Sequence, residues 1–265
     1  MIVKKTKLPD VQLTKPEHEI AIEKVGIENL LVPIFVSQKV GGFQYSTAKI
    51  DCSVDLAAHL KGISMSRIPR SINQFLDRPL SSKIIKEIAE EVRINLEAEN
   101  CELTYSFPYF VKKFAPSSNE SGLVHYNALF NGIKSGDNFE FNISVEVTTT
   151  NLCPCSKEIS QYGAHSQNCI IRIKCKQDEG KFIWLEDLIN VAETSSSCEI
   201  FSILKREDEQ YVTEHAYENP MFVEDVVRSC YDKLIKLDHI NKFKIKVIAL
   251  ESIHQHNAIA IMSNY

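Results

Sequence analysis

The sequence lacks any apolar run near the ~18 residues that a membrane-crossing helix needs. Its N-terminal stretch, MIVKKTKLPDVQ, lacks the long apolar core of a secretory signal. Both absences predict a cytoplasmic chain with no membrane partner. A surplus of positive charge is also missing: 30 Lys and Arg stand against 35 Asp and Glu, a net charge of −5. That balance argues against a nucleic-acid partner gripped through its phosphate backbone, while local basic clusters remain able to hold a small anion. Nor is there a second close cysteine pair to match Cys153 and Cys155 in NLCPCSKEIS. A closed structural zinc site would need one. A disulfide between thiols one residue apart would be strained, and redox pairs usually keep two residues between their cysteines.

What is present is ordinary for a globular chain of 265 residues: 44% hydrophobic and 25% charged, enough to bury a sizeable core. In a reducing compartment most of the eight cysteines are expected to be small core residues. Read alone, Cys153 and Cys155 divide between incidental thiols and ligands.

Residues 1–25 are polar and weakly patterned, an expected arm. Two halves follow, 26–138 and 139–265, each reading as strand, strand, helices, strand, strand. YSTAKIDCSVDLA and NFEFNISVEVTTT alternate as strands do, and SSKIIKEIAEEVRINLEAEN spaces Ile84, Ile85, Ile88, Val92 and Ile94 for a helix. Asn219 and Pro220 predict the start of a long helix over NPMFVEDVVRSCYDKLIKL. FKIKVIALESIH and HNAIAIMSNY predict two closing strands. Sheets backed by helices on one face give an α+β class.

The second half concentrates groups that carry chemistry. The segment after its first strand holds Cys153, Cys155 and His165. LKREDEQYVTEHAYENP packs Glu207, Asp208 and Glu209 behind Lys205 and Arg206, a pattern a solvated charge run also explains. FVED puts Glu224 and Asp225 early in the long helix. ESIHQHNA places Glu251, His254 and His256 at a strand or its end, with both imidazoles on one face. A thiolate, imidazoles and a carboxylate make a mixed donor set suited to a catalytic divalent ion.

Three of these motifs, LCPCSKEIS–YGAH–Q, LKR–DE–YVTE–AYENP–FVED and ESIH–H, resemble the type IB GTP cyclohydrolase I family, from about VGIENL to the C-terminus. The resemblance implies two tandem tunnelling-fold modules, antiparallel sheets each backed by helices, and a homotetramer with active sites near subunit interfaces. It implies hydrolysis of GTP to formate and 7,8-dihydroneopterin triphosphate, the first committed step towards tetrahydrofolate. Guanine C8 is a poor electrophile, so the first step calls for a metal that lowers the pKa of water.

By the same resemblance one divalent ion (Zn, Mn or Fe) per active site is held by Cys153, His165, Glu209 and His254. Cys155 serves proton transfer in ring opening. Glu251 and His256 orient ligands or shuttle protons. Glu224 anchors guanine, since one carboxylate accepts from N1–H and the 2-amino group together, a pattern adenine cannot offer. Without the resemblance, Glu224 reads as a helix-start carboxylate favoured by the dipole. Lys157, Lys112, Lys113 and Arg67 lie in matching segments and are the candidates for the triphosphate, each also readable as surface charge.

Two positions depart from the family pattern: Ser64 stands in GISMSR where a histidine is common, and Asn168 where an arginine is usual. Loss of that guanidinium bears on phosphate binding or a subunit contact. A related nitrile reductase uses NADPH and a nucleophilic cysteine without a catalytic metal, and the four metal-ligand types argue against it. The alternative to an enzyme is a purine- or metal-binding sensor built on the same fold.

Overall fold

A computed structural model describes residues 11–265. The first ten residues of the expected arm lie outside the described residues. The described chain runs β1 (Ile22–Ser37), β2 (Phe43–Leu56), α1 (Arg67–Asn73), α2 (Ser82–Leu96), β3 (Asn100–Phe114), β4 (Ser121–Ser135), β5 (Asn138–Leu152), α3 (Pro154–Ile159), β6 (Ser166–Gln177), α4 (Leu185–Glu193), α5 (Arg206–Glu218), α6 (Val223–Leu234), β7 (Lys242–Ala249) and β8 (Ala258–Ser263).

The α+β class holds, but the expected pair of tandem tunnelling-fold modules does not. All eight strands form one sheet in sequence order, β1 to β8. The reason lies between β4 and β5, where only Gly136 and Asp137 intervene. Gly136 takes φ of 52°, which a two-residue hairpin turn favours and a side chain resists. So short a turn pairs β4 with β5, and the sheet continues through the chain's middle.

By compactness the chain divides into two units. One comprises the residues up to Phe35, Thr47–Tyr105 and Asn131–Glu140, and the other Val36–Ser46, Ser106–Phe130 and Phe141–Tyr265. In the first, Ser81 caps α2 by accepting from the Ile84 N–H, and Ile84, Ile85, Ile88, Ala89, Val92 and Leu96 are buried. Ile94, expected on that stripe, is 59% exposed, and Leu96 takes the inward place.

In the second unit, β5 to β8 pair antiparallel and bury alternate residues. Ile171, Ile173, Phe243, Ile245 and Val247 are fully buried, and α6 packs on this face through Val226, Val227, Cys230 and Leu234. Tyr231 meets Phe243 edge-on at 5.2 Å between ring centres. Each such side chain contributes roughly 1.5–3 kcal/mol by leaving water. This packed layer fixes the ends of β5, β6 and β7, where the candidate site lies.

Helix boundaries moved in two places. The long helix starts at Val223, not at Pro220, because Asp225 Oδ2 accepts from the Phe222 N–H at 3.1 Å. Asn219 instead closes α5, donating to the His215 carbonyl at 2.7 Å. The run from Lys205 to Glu218, read as a charge cluster, is mostly the helix α5.

Candidate active site

The C-P-C segment leaves β5 at Leu152 and turns at once into α3. Cys153 occupies the N-cap position with extended backbone, and Pro154 fills the first helical position, where its missing N–H is no loss. Two backbone links brace the turn: Cys153 N–H donates to the His165 carbonyl at 3.1 Å, and Ser156 Oγ donates to the Cys153 carbonyl at 3.1 Å. Ser156 Oγ also accepts from the His165 N–H at 3.2 Å. Gly163, at φ of 129°, makes the return that a side chain would strain. Cys153 and His165, twelve positions apart, are thereby clamped together.

One cavity of about 420 Å³ gathers residues from three separated motifs. Cys153, Cys155, His165, Glu224, Glu251 and His254 all line it. The His165 ring is oriented from two sides, with Nδ1 2.9 Å from Gln167 Oε1 and 3.1 Å from Ser252 Oγ. Gln167 Nε2 then donates to Glu251 Oε1 at 3.3 Å. Glu224 enters from the first turn of α6, which the Met221 N–H ties to the Leu152 carbonyl at 3.1 Å.

Glu251, His254 and His256, expected on a strand or its end, lie beyond the end of one. β7 ends at Ala249 and β8 begins at Ala258, so the three sit in the connecting segment. The rings of His254 and His256 stack 5.2 Å apart with planes 13° from parallel. His256 does not line the cavity itself.

The other candidates lie elsewhere. Glu209 is exposed in the first turn of α5 and does not line the cavity. Lys157 donates to the Tyr217 carbonyl at 2.5 Å and lies over that ring. Lys112 Nζ sits 5.3 Å from the Phe114 ring centre. Lys113 is engaged inside the chain, donating to Glu193 Oε1 at 2.8 Å and the Ile200 carbonyl at 2.9 Å, and pairing with Glu199. Arg67 belongs to the other compact unit and donates to the Asn95 carbonyl at 2.6 Å.

The thiols sort clearly. Six of the eight are buried; Cys153 is half-buried and Cys155 exposed. Burial pushes Cys169 and Cys175 up to about 12, and Cys198 and Cys230 up to about 11. Those four are inert at neutral pH.

For a metal, the donors fit in kind: a thiol and two imidazoles line one cavity, a set that Zn²⁺, Fe²⁺ or Mn²⁺ accepts. Among the described residues no three His, Cys, Asp or Glu side chains stand close enough to hold one ion together. Cys153, His165 and His254 are the residues that would hold it.

Sequence reasoning missed Asn151 and Gln167. Asn151 lines the same cavity, is 1% exposed, and its Oδ1 has no hydrogen-bond partner, which a buried polar atom tolerates poorly. Its place on β5, two residues before Cys153, was the available signal. A larger cavity of about 640 Å³ lies beyond the 160–166 turn, and Tyr162, Gly163, Ala164 and Ser166 face it. It carries none of the candidate catalytic or metal-ligating residues.

Comparison with known proteins decides the family. Residues 8–260 match the model of the type I GTP cyclohydrolase folE2 family. The chain belongs to that family. A GTP cyclohydrolase FolE2 of Geobacter sp. is 43% identical over 258 residues, covering 97% of this chain and 95% of that protein. The FolE2 protein of Nitrosococcus oceani is 42% identical over 255 residues, covering 96% and 94%. In fold, this FolE2-family chain is similar to uricase from Arthrobacter globiformis, with a TM-score of 0.57 at 6% identity over 91% and 92% of the two chains. That likeness concerns the fold alone.

Proposed function

We propose that this chain is a GTP cyclohydrolase of folate biosynthesis, a hydrolase releasing formate from GTP and forming 7,8-dihydroneopterin triphosphate. The observation that carries the reading is the single cavity shared by Cys153, Cys155, His165, Glu224, Glu251 and His254, in a member of this family. The reaction needs three things there: a grip on guanine, activated water at C8, and a proton carrier for ring opening.

Glu224 supplies the grip. Its carboxylate, on the first turn of α6, accepts from guanine N1–H and the 2-amino group, and these charge-assisted bonds reject purines lacking both donors. Cys153, His165 and His254 would hold a divalent ion, which would supply Lewis acidity and a lowered pKa for water at C8. Glu209, the fourth expected ligand, does not line this cavity within the single chain. Gln167 and Ser252 fix the His165 ring so that Nε2 is the nitrogen presented to a ligand. Cys155 lines the cavity two residues beyond Cys153 and gives a proton to the imidazole nitrogen as the ring opens. Glu251, held by Gln167, takes the proton from water.

The working form in this reading is a cytoplasmic homotetramer with its sites near subunit interfaces. Among the described residues no helix is long and apolar enough to cross a membrane. The test is to incubate the purified protein with GTP and, separately, Mn²⁺, Zn²⁺ or Fe²⁺, then oxidise the products and assay neopterin fluorescence and formate. Both products, dependent on the ion, are expected. Metal or GTP binding without either product would replace the enzyme with a sensor.

A further inference from the structure

On the sheet face opposite α6, β6 and β7 carry an unusual ladder. Arg172 stands directly across from Lys246, Lys174 from Lys244, and Lys176 from Lys242. The intervening Ile173, Cys175, Phe243 and Ile245 point into the core, so the six cations share the other face. Like charges directly opposed across strands destabilise a sheet. In a chain with 35 acidic residues, interleaved carboxylates were available. In these three rows the one carboxylate is Glu146 on β5, opposite Arg172. It is already engaged, accepting from Arg172 Nε at 2.5 Å and from Asn127 Nδ2 at 3.1 Å. β8 offers no charge, placing Ile261 beside Lys246 and Ser263 beside Lys244. Among the described residues, Lys174, Lys244 and Lys246 form no ion pair.

The ladder is also concave. Arg172, Lys174, Lys244 and Lys246 line a depression of about 320 Å³ together with Asn127, Ser144 and the Glu146 carboxylate, over a floor that includes Leu129 and Val145. It is distinct from the catalytic cavity: Gln167 on β6 lines the latter, and Arg172 is five positions further, roughly 17 Å along an extended strand. The Lys174–Lys244 rung, with Lys246 beside it, breaks a local rule without an ion pair to offset it, as functional surface is expected to do.

We propose that this face binds a small linear oligophosphate at a site separate from the catalytic cavity. Several closely spaced cations answer several closely spaced phosphate charges, and Ser144 and Asn127 add hydrogen-bond donors. A depression of this size suits a short chain of phosphates. The net charge of −5 would repel a long polyanion. The proposal does not depend on turnover of GTP.

Inorganic tripolyphosphate is the probe, titrated calorimetrically into the metal-loaded full chain and into Lys244→Glu and Lys244→Gln. The expected result is binding to wild type, about tenfold or more weaker in Lys244→Glu, with the KM for GTP within twofold of wild type. Tripolyphosphate should also raise the wild-type Tm by about 2–4 °C and leave that of Lys244→Glu unmoved. Without the anion, Lys244→Glu should melt no lower than wild type, because its carboxylate would face Lys174. If it melts lower, Lys244→Gln carries the comparison. Equal tripolyphosphate affinity in wild type and both variants would overturn the site. So would loss of tripolyphosphate and GTP binding together, which would put the anion in the catalytic cavity, or binding of an oligonucleotide but not tripolyphosphate.

Discussion

Cys155 is the one exposed thiol among eight, and Cys153 the one half-buried. Alkylation of the native, metal-free protein should therefore modify two cysteines per chain, Cys155 first, as peptide mass mapping would read. Bound metal should protect Cys153 and leave Cys155 reactive. Protection of Cys155 instead would mean that the two roles are exchanged. In turnover, Cys155→Ala should lose about 10²–10⁴-fold in kcat, the range for a missing acid–base group, with metal content kept. Cys153→Ala should lose both metal and activity. Glu224→Ala removes a charged acceptor for two donors, so the KM for GTP should rise about tenfold or more, and an unchanged KM would sink the anchor. At this scale much was legible in the sequence, because proline between two cysteines and a histidine after a glycine turn advertise a clamped loop. Asn151 was not, since nothing in TTTNL distinguishes an asparagine that pairs in the strand from one whose oxygen is left bare in a cavity.

At the scale of elements, polar helices hid best. α5 buries only Asp208 and Ala216, so its sequence carries almost no apolar stripe and reads as solvated charge. Its start depends on Asp208, whose side chain accepts from the N–H groups of Lys205, Ser117 and Ser118 and from Ser118 Oγ. Burial alone would raise the Asp208 carboxyl, but these four donors outweigh it and hold it well below the usual carboxylate range. The folded-state value is depressed, so its contribution is fully present above the ordinary value of 3.8 and is lost as pH falls below it towards the folded value. Asp208→Asn should accordingly lower stability at pH 7 and flatten the loss of stability below about pH 4, read from denaturant midpoints across pH. An unaltered acid profile would show that Asp208 plays no such part. The break between β7 and β8 was read, but both strands were drawn too long into Glu251–Asn257, because FKIKVIALESIHQHNAIAI holds no glycine or proline to mark their ends. Asn219–Pro220 is a real boundary that belongs to the end of α5 rather than the start of α6.

For the whole molecule, the order of strands and helices in each half could be read from periodicity, but how the strands join could not. A repeated order suits two sheets or one equally well, and the choice rests on the Gly136–Asp137 turn. Most of the candidate site residues of the second half gather where the ends of β5, β6 and β7 and the start of α6 enclose one cavity. In the proposed reaction this cavity opens guanine at C8. The most direct measurement uses GTP labelled at C8 with ¹³C, incubated with the metal-loaded protein and followed by NMR. The label should leave as formate, one per pterin formed, and His254→Ala should release none. Label retained in intact GTP, with the nucleotide bound and the metal in place, would contradict it.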